Sequence, residues 1–284
     1  MKGWKALNIV VVGLGLIGGS ICKCLKKHTR HCVYGWDTDK ETLKEALSQE
    51  AIDGAADVSD LHSADLTVIC LYPEQTIQFV TDHLAEIQKG SILIDTCGIK
   101  SGVVAVLDPL LSSAGIRYVG THPMAGREFS GFAYSVADLF DPASLILTVT
   151  EQTQDSAVKE IAALAEEMHF REVVVSTPEE HDRIIAYTSQ LAHVVSNAYI
   201  KSPTERMERG FSAGSFKDLT RVARLNPEMW TSLFLLNREP LLFEINTIIC
   251  HLNEYRSALE RQDREELFRL LEEGSEIKKR SQER

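Results

Sequence analysis

The sequence predicts an α/β domain followed by an all-α domain, and three observations support this. Up to about Ser176, short apolar runs rich in β-branched residues alternate with helical patterns, which is typical of βαβ units and a mostly parallel sheet. The strand pattern then stops, and Thr177 and Pro178 supply an N-cap and a first-turn proline. Only helical patterns follow. We therefore expect an α/β domain over residues 1–176 and an all-helical domain over residues 177–284.

Composition excludes several classes of protein. The chain has 284 residues, 44% of them hydrophobic and 25% charged, which is enough apolar surface for one or two packed cores. Because 41 acidic residues outnumber 30 basic ones, general binding to nucleic acid or to an anionic membrane is disfavoured. The longest apolar runs are strand-sized, so we expect no membrane association. The six cysteines contain no C-x-x-C motif, and this predicts no metal site and a reducing, cytoplasmic location.

The apolar runs define the expected secondary structure of both domains. Seven strands are predicted, over residues 8–12, 33–36, 66–70, 92–95, 117–119, 145–149 and 172–175. Helices are predicted over residues 15–27, 39–50, 153–168, 177–200, 216–225, 227–237, 239–262 and 264–280. Asp39 is placed to cap the second of these helices.

A glycine-rich motif follows the first strand directly. Gly13, Gly15 and Gly18 have G-x-G-x-x-G spacing within GLGLIGGS. The first glycine permits a tight turn, the second lets the backbone approach a pyrophosphate, and the third allows the helix to pack closely on the strand. Because a strand precedes the motif and a helix follows it, we interpret residues 1–176 as a Rossmann-type dinucleotide-binding domain. The alternatives are a glycine turn needed only for packing and an FAD site.

An acidic residue refines the expected cofactor. Asp37 ends the second strand, 19 residues after Gly18, where a carboxylate can bind the ribose hydroxyls of NAD and would repel the extra phosphate of NADP. We therefore predict NAD as the cofactor. The complete set of predicted cofactor-binding residues is Gly13, Leu14, Gly15, Leu16, Ile17, Gly18, Asp37, Leu71 and Pro73.

Several segments together carry a family resemblance. They are GLGLIGGS at 13–20, ICLYP at 69–73, DTCGIKS at 95–101, THPMAGREFSG at 121–131 and GSFKDLTRVARLNPEMW at 214–230. In sequence and order they resemble the prephenate dehydrogenase family, which includes arogenate-using relatives. The resemblance implies an all-α C-terminal dimerisation domain and a homodimer. It also implies NAD-dependent oxidative decarboxylation of prephenate to 4-hydroxyphenylpyruvate, in tyrosine biosynthesis.

One histidine is the candidate catalytic residue. His122 follows the predicted 117–119 strand, at the carboxyl edge where α/β sheets bind their ligands. An imidazole suits the transfer of a hydroxyl proton near neutral pH. The resemblance of HPMAG to the family places the catalytic histidine at His122. The alternative is a histidine that only satisfies a hydrogen bond in a loop.

A dicarboxylate substrate requires a local positive site in so acidic a chain. Lys217, Arg221 and Arg224 are spaced to share one face of a predicted helix, and the resemblance assigns Arg221 to substrate binding. A solvated basic face is the alternative. His193 matches the second histidine of the family's long helix, with Ser189 and Asn197 four residues away on either side. We predict His193, Arg221, Ser189 and Lys217 as substrate-binding residues, with a core or interface histidine as the alternative for His193.

The chain departs from the family pattern at two positions. Many members have a glycine-serine pair before a valine-lysine pair, whereas this chain has Cys97 and Gly98 there, so a serine hydroxyl is missing. Gln190 occupies a helix position that is often histidine. Both differences bear on which substrate is preferred.

Three other functions remain open from the sequence. An arogenate or cyclohexadienyl dehydrogenase uses a substrate that differs by an amino group in place of a keto oxygen. A β-hydroxyacid dehydrogenase also joins this type of cofactor domain to helices, although the long helix lacks a convincing catalytic lysine. A non-enzymatic NAD sensor would need none of His122, His193 and Arg221. The apolar positions expected to form a dimer interface are Leu233, Leu236, Leu241, Leu242, Ile245, Ile248 and Ile249.

Overall fold

The computed structural model describes residues 6–283, which divide into two compact units. The first unit extends to Asp182 and the second begins at Arg183. The expected boundary after Ser176 lies a few residues earlier. Within residues 6–283, none of the helices is both long and apolar enough to span a membrane.

The first unit is built on an eight-stranded sheet. Its strands are β1 (Asn8–Val12), β2 (Cys32–Trp36), β3 (Gly54–Ala55), β4 (Leu66–Ile69), β5 (Ile92–Asp95), β6 (Arg117–Pro123), β7 (Ser144–Thr148) and β8 (Glu172–Ser176). They lie in the order β3-β2-β1-β4-β5-β6-β7-β8. All neighbouring pairs are parallel except β6 and β7, which are antiparallel. The expected α/β domain with a mostly parallel sheet is confirmed.

Both faces of this sheet are covered, which explains the continuous apolar runs of its strands. The helices of the unit are α1 (Leu16–His28), α2 (Lys40–Ser48), α3 (Pro73–Asp82), α4 (Ser101–Ser113), α5 (Asp155–Glu167) and the start of α6 (Pro178–Ile185). Ile9 and Val11 of β1 pack in one hydrophobic cluster, whereas Val10 and Val12 pack in a second one. Successive side chains of a strand point to opposite faces, so each face has its own core. Asp39 caps α2 as predicted, accepting the backbone N–H of Glu41.

Strand β6 is longer than the sequence predicts, and this changes the position of His122. The strand was expected to end at Val119, before the histidine, but it continues to Pro123. Its parallel partner β5 ends where Asp95 pairs with Gly120. Beyond that point β7 pairs with β6, with His122 opposite Ile146. His122 therefore belongs to the sheet itself, because a non-local antiparallel partner extends the strand.

The second unit is helical. After the end of α6, a π-helical turn at Ala186–Gln190 leads into α7 (Leu191–Tyr199), α8 (Gly214–Thr220), α9 (Pro227–Leu236), α10 (Arg238–Glu260) and α11 (Arg264–Gln282). Many large apolar side chains of α9 to α11 are exposed, including Leu235, Leu242, Phe243, Leu252, Phe268 and Leu271. Of the positions expected at a dimer interface, Leu241 is buried within the unit itself.

The expectation that three basic residues share one helix face is wrong. Helix α8 ends at Thr220, so Lys217 is helical, Arg221 is the C-cap and Arg224 lies beyond the helix. The chain leaves the helix here because tertiary hydrogen bonds compete for its backbone. The carbonyl oxygens of Val222 and Ala223 accept hydrogen bonds from side chains of α7.

Candidate active site

The glycine-rich turn has the geometry of a dinucleotide site. Gly13 has a φ of +88°, and a Cβ there would lie 2.7 Å from the carbonyl oxygen of Cys70. A Cβ on Gly18 would lie 1.9 Å from the carbonyl oxygen of Gly13, so only glycine fits at either position. A Cβ on Gly15 would meet nothing within 4 Å. Helix α1 also begins without a side-chain cap. Its first backbone N–H groups, those of Leu16 and Ile17, can therefore receive a phosphate over Gly15.

Asp37 is fixed beside this turn. Its Oδ2 accepts the backbone N–H of Leu14 at 2.8 Å, and its Oδ1 accepts the N–H of Asp39 at 2.9 Å. A carboxylate has further lone pairs, and these remain for two ribose hydroxyls. The side chain of Leu14 is fully buried, so Leu14 contributes through its backbone. Leu71 lies against Gly13, and the buried Pro73 is the first residue of α3. These residues fit a bound dinucleotide.

His122 is part of a chain of three side chains. Its Nδ1 lies 2.9 Å from Nε2 of His181, and the two rings meet edge to face. The Nδ1 of His181 lies 2.7 Å from Oδ1 of Asp182. His181 and Asp182 are almost completely buried, whereas His122 stays partly exposed. The exposed end of the chain is therefore the His122 imidazole.

The carboxylate of Asp182 is anchored by the start of α4. It accepts the backbone N–H groups of Lys100 and Ser101, each at 2.8 Å. These groups lie at the positive end of a helix dipole. Burial acts to raise the pKa of Asp182, but the hydrogen bonds from His181 and from these two residues outweigh it and lower the pKa. Asp182 is consequently ionised at neutral pH.

A buried ion pair supports the backbone next to His122. The Nζ of Lys100 lies 2.5 Å from both Oδ1 of Asp95 and the carbonyl oxygen of Thr121. Tyr118 donates its hydroxyl to Oδ2 of Asp95. Lys100 and Asp95 are completely buried, so each charge depends on the other and on these hydrogen bonds. The network fixes the strand residue that precedes His122.

The surroundings of His122 keep its imidazole neutral. Desolvation by the surrounding protein, the neighbouring His181 and the positive charge of Lys100 lower the pKa of His122 well below its ordinary value. A Cβ placed on Gly98 would lie 3.7 Å from Nε2 of His122, and apart from its two neighbours in the chain it would meet no other residue within 4 Å. Nε2 therefore adjoins open space, in which a reacting group can approach it.

The second unit brings two predicted substrate-binding residues together. The Nδ1 of His193 donates to the carbonyl oxygen of Val222 at 3.2 Å, and its ring lies 4.1 Å from that of Trp230. Burial, opposed by the hydrogen bond to Val222 and assisted by the charge of Arg221, lowers the pKa of His193. Arg221 is an exposed residue, and its charge acts on His193.

The other predicted positions are more dispersed. Ser189 lies half-exposed in the π-helical turn, and Lys217 is exposed on α8. Gln190 is buried, where it donates to the carbonyl oxygen of Leu233 and accepts from Asn237. Gln190, one of the positions at which the chain departs from the family pattern, is thus part of the core of its own unit. Among residues 6–283, no group of three or more His, Cys, Asp or Glu side chains could hold a metal ion.

Sequence reasoning missed His181 and Asp182. They follow the predicted N-cap at Thr177 and resemble ordinary residues in the first turns of a helix. The available signal was an adjacent histidine and aspartate just after the last strand of an α/β domain. It did not identify the partner, because His122 lies 59 residues earlier in the chain.

Comparison with known proteins places the chain in a family. Residues 21–181 match the family model "Prephenate dehydrogenase, nucleotide-binding domain", and residues 177–273 match "Prephenate dehydrogenase, dimerization domain". The chain belongs to the prephenate dehydrogenase family. Membership confirms the predicted family, the fold class and the class of enzyme, a dehydrogenase.

Individual relatives cover nearly the whole chain. The prephenate dehydrogenase of Bacillus subtilis is 34% identical over 275 residues, which cover 92% of this chain and 72% of that protein. The cyclohexadienyl dehydrogenase of Zymomonas mobilis is 31% identical over 285 residues, covering 95% and 94%. The crystal structure of A. aeolicus prephenate dehydrogenase with hydroxyphenyl propionate and NAD+ has a TM-score of 0.86 and 28% identity. It covers 99% of each chain.

Proposed function

We propose that this protein catalyses the NAD-dependent oxidative decarboxylation of prephenate to 4-hydroxyphenylpyruvate, a step of tyrosine biosynthesis. The observation that carries the proposal is the position of His122, whose Nδ1 lies 2.9 Å from Nε2 of the buried His181 and whose Nε2 lies beside Gly98. It lies at the carboxyl edge of the sheet that bears the glycine-rich turn. The names of the relatives from B. subtilis and A. aeolicus support the choice of substrate.

The cofactor is NAD, held by the glycine-rich turn and Asp37. Gly13 and Gly18 shape the turn, Gly15 and the first N–H groups of α1 receive the diphosphate, and Asp37 receives the ribose. When bound, NAD supplies the acceptor for the hydride that leaves the substrate. Because Asp37 would repel a ribose phosphate, NAD is preferred over NADP.

His122 acts as the acceptor of the substrate's hydroxyl proton. As the ring C–OH becomes a carbonyl, its proton moves to Nε2 of His122. The bond to the ring carboxylate then breaks, CO₂ leaves, and the electron pair flows through the ring to the oxygen. That oxygen takes the proton back from Nε2 to form the phenol. His122 therefore holds one proton temporarily, and no net proton is consumed.

The substrate's carboxylates are assigned to the second unit. Arg221 is an exposed residue whose guanidinium can bind a carboxylate through two hydrogen bonds, and its charge acts on His193. Lys217 and Ser189 complete the proposed set. The two substrate carboxylates offset the positive charge that these residues concentrate in a chain of net charge -11.

Arogenate is the second candidate substrate. It differs from prephenate in the side chain, away from the hydroxyl that meets His122. The relative from Z. mobilis is named a cyclohexadienyl dehydrogenase, which favours testing this substrate too.

Formation of NADH, followed by its absorbance, tests these assignments directly. The purified protein is given prephenate, arogenate or a panel of 3-hydroxy acids, each with NAD or NADP. We expect turnover of prephenate with NAD and slower turnover with NADP. Turnover of arogenate alone would mean that arogenate, and not prephenate, is the substrate. Turnover of 3-hydroxy acids alone would mean that the protein catalyses a different reaction. Binding of NAD without any turnover would indicate a sensor.

The assembly and location follow from the same proposal. The protein is a homodimer formed through its helical domain, with a domain boundary after Ser176. All six cysteines are free thiols, which fits the reducing cytoplasm.

A further inference from the structure

The contacts of Asp182 determine which nitrogen of His181 donates to it. Asp182 is ionised and already accepts two backbone N–H groups, so it can only accept from His181. The Nδ1 of His181 therefore carries the proton. A neutral His181 carries one ring proton, so its Nε2 is left with a lone pair. At 2.9 Å, that lone pair accepts the Nδ1 proton of His122.

We propose that His181, held by Asp182, keeps His122 in the tautomer with Nε2 unprotonated and takes up its Nδ1 proton during the reaction. His181 is thus a positioning residue for the proposed dehydrogenation, on which this inference rests. The side chains that it contacts are those of His122 and Asp182.

The charges around the two rings favour this arrangement. His122 faces the ammonium of Lys100, which disfavours a second positive charge on its own ring. His181 instead adjoins a carboxylate, with its Nδ1 2.7 Å from Oδ1 of Asp182. Asp95 is engaged by Lys100 and Tyr118, so it offers no comparable partner to His122. When His122 takes up a proton at Nε2, the positive charge is therefore best placed on His181, next to Asp182.

The proton transfers balance in both directions. When the substrate O–H bond breaks, an N–H bond forms at Nε2 of His122. The Nδ1–H bond of His122 then breaks, and an N–H bond forms at Nε2 of His181. When the product oxygen takes its proton back, both transfers reverse. The two histidines thus store one proton between loss of the hydride and formation of the phenol.

Substitution of His181 separates orientation from proton storage. In His181→Gln, the amide oxygen can still accept the Nδ1 proton of His122 but cannot be protonated at working pH. We expect kcat to fall by about tenfold or more while KM changes less than about twofold. His181→Leu removes the acceptor as well, so kcat should fall further. A His181→Gln enzyme with the kcat of the wild type would overturn the proposal.

A matched control distinguishes this effect from the loss of any buried histidine. His31 is also buried, accepts the N–H of Leu7 and lies 3.4 Å from Glu167, but it precedes β2 at the opposite edge of the sheet. We expect His31→Gln to retain the kcat of the wild type. An equal loss of kcat in both variants would assign the effect to stability and contradict a specific role for His181.

The tautomer is measured without any turnover. In ¹⁵N-histidine-labelled protein, two-bond nitrogen–proton spectra distinguish the two neutral imidazole forms, and His122→Asn identifies the signal of His122. The wild type and His181→Gln should show the proton on Nδ1, whereas His181→Leu should show a mixture. A wild-type His122 protonated on Nε2 would refute the inference. If the wild type turned over neither prephenate nor arogenate, the proposed function would fail while this tautomer result still stood.

Discussion

A proton acceptor must be unprotonated at the pH at which it works, and the surroundings of His122 provide this. Desolvation, His181 and Lys100 lower its pKa well below the ordinary value of 6.5. The neutral form is therefore present at neutral pH and is lost only when the pH falls through the lowered pKa. We expect kcat to stay constant from neutral pH down past 6.5 and then to decline.

Steady-state rates across this range test the assignment of His122. His122→Asn should lower kcat by about 10² to 10⁴, with little change in KM, because proton transfer is an interaction of the transition state. The acid limb of the profile should disappear in that variant. A midpoint at or above pH 6.5 in the wild type, or a near wild-type kcat in His122→Asn, would speak against the role.

Arg221 and Arg224, at and beyond the end of α8, allow the effects of two single substitutions on substrate binding to be compared. Arg221 is the helix C-cap and its charge acts on His193, whereas Arg224 lies farther along the chain outside the helix. Arg221→Ala should raise KM for the substrate by about tenfold or more, because its carboxylate contact already exists in the ground state.

Arg224→Ala serves as the control for this change. It removes the same charge and the same side-chain volume from the same segment. We expect its KM to stay within about twofold of the wild type. Equal increases in both variants would mean that only the general positive potential of the segment matters.

At the scale of elements, two glycines of the turn before α1 have different roles, one in folding and the other in cofactor binding. A methyl group on Gly18 would overlap the carbonyl oxygen of Gly13, so Gly18→Ala should lower the free energy of unfolding by about 1–3 kcal/mol or more. A methyl group on Gly15 meets no protein atom within 4 Å. Gly15→Ala should therefore keep the wild-type Tm while raising KM for NAD by about tenfold, or ~1.4 kcal/mol. Thermal unfolding and NAD titration of both variants check this, and a normal KM in a folded Gly15→Ala enzyme would place the diphosphate elsewhere.

The same elements show what the sequence could predict. Local patterns were sufficient for β1, for the glycine turn and for the cap at Asp39, because apolar periodicity and turn chemistry act over a few residues. They were insufficient for β6, whose last residues depend on the distant β7, and for α8, whose end depends on hydrogen bonds from His193 and Asn197. The link between His122 and His181 was missed for the same reason: only the folded sheet and helix bring the two residues together.

At the scale of the whole molecule, the helical unit exposes many large apolar side chains. Phe243 and Leu242 of α10 are 66% and 44% exposed, and similar side chains continue along α11. The match to a dimerization domain over residues 177–273 supports a partner for this surface. We expect the mass of a dimer in light scattering at micromolar concentration.

Disruption of this surface should give monomers. Phe243→Asp places a charge in the proposed interface, so the mass should fall to that of one chain of 31.7 kDa. Leu47→Asp is the control, because Leu47 is 42% exposed on α2 of the other unit. A dimer that persists in Phe243→Asp, or a wild-type monomer, would contradict this interface.

The antiparallel pairing that extends β6 also has a consequence for amide hydrogen exchange. Functional residues on loops commonly lie in segments that open easily and exchange fast. His122 instead lies in the ladder with β7, and the N–H of Met124 just beyond it still donates to Ser144. The backbone amide of His122 should exchange only through larger openings of the sheet. The proton-accepting ring is therefore held on one of the slowly exchanging parts of the molecule, and its position does not depend on loop closure.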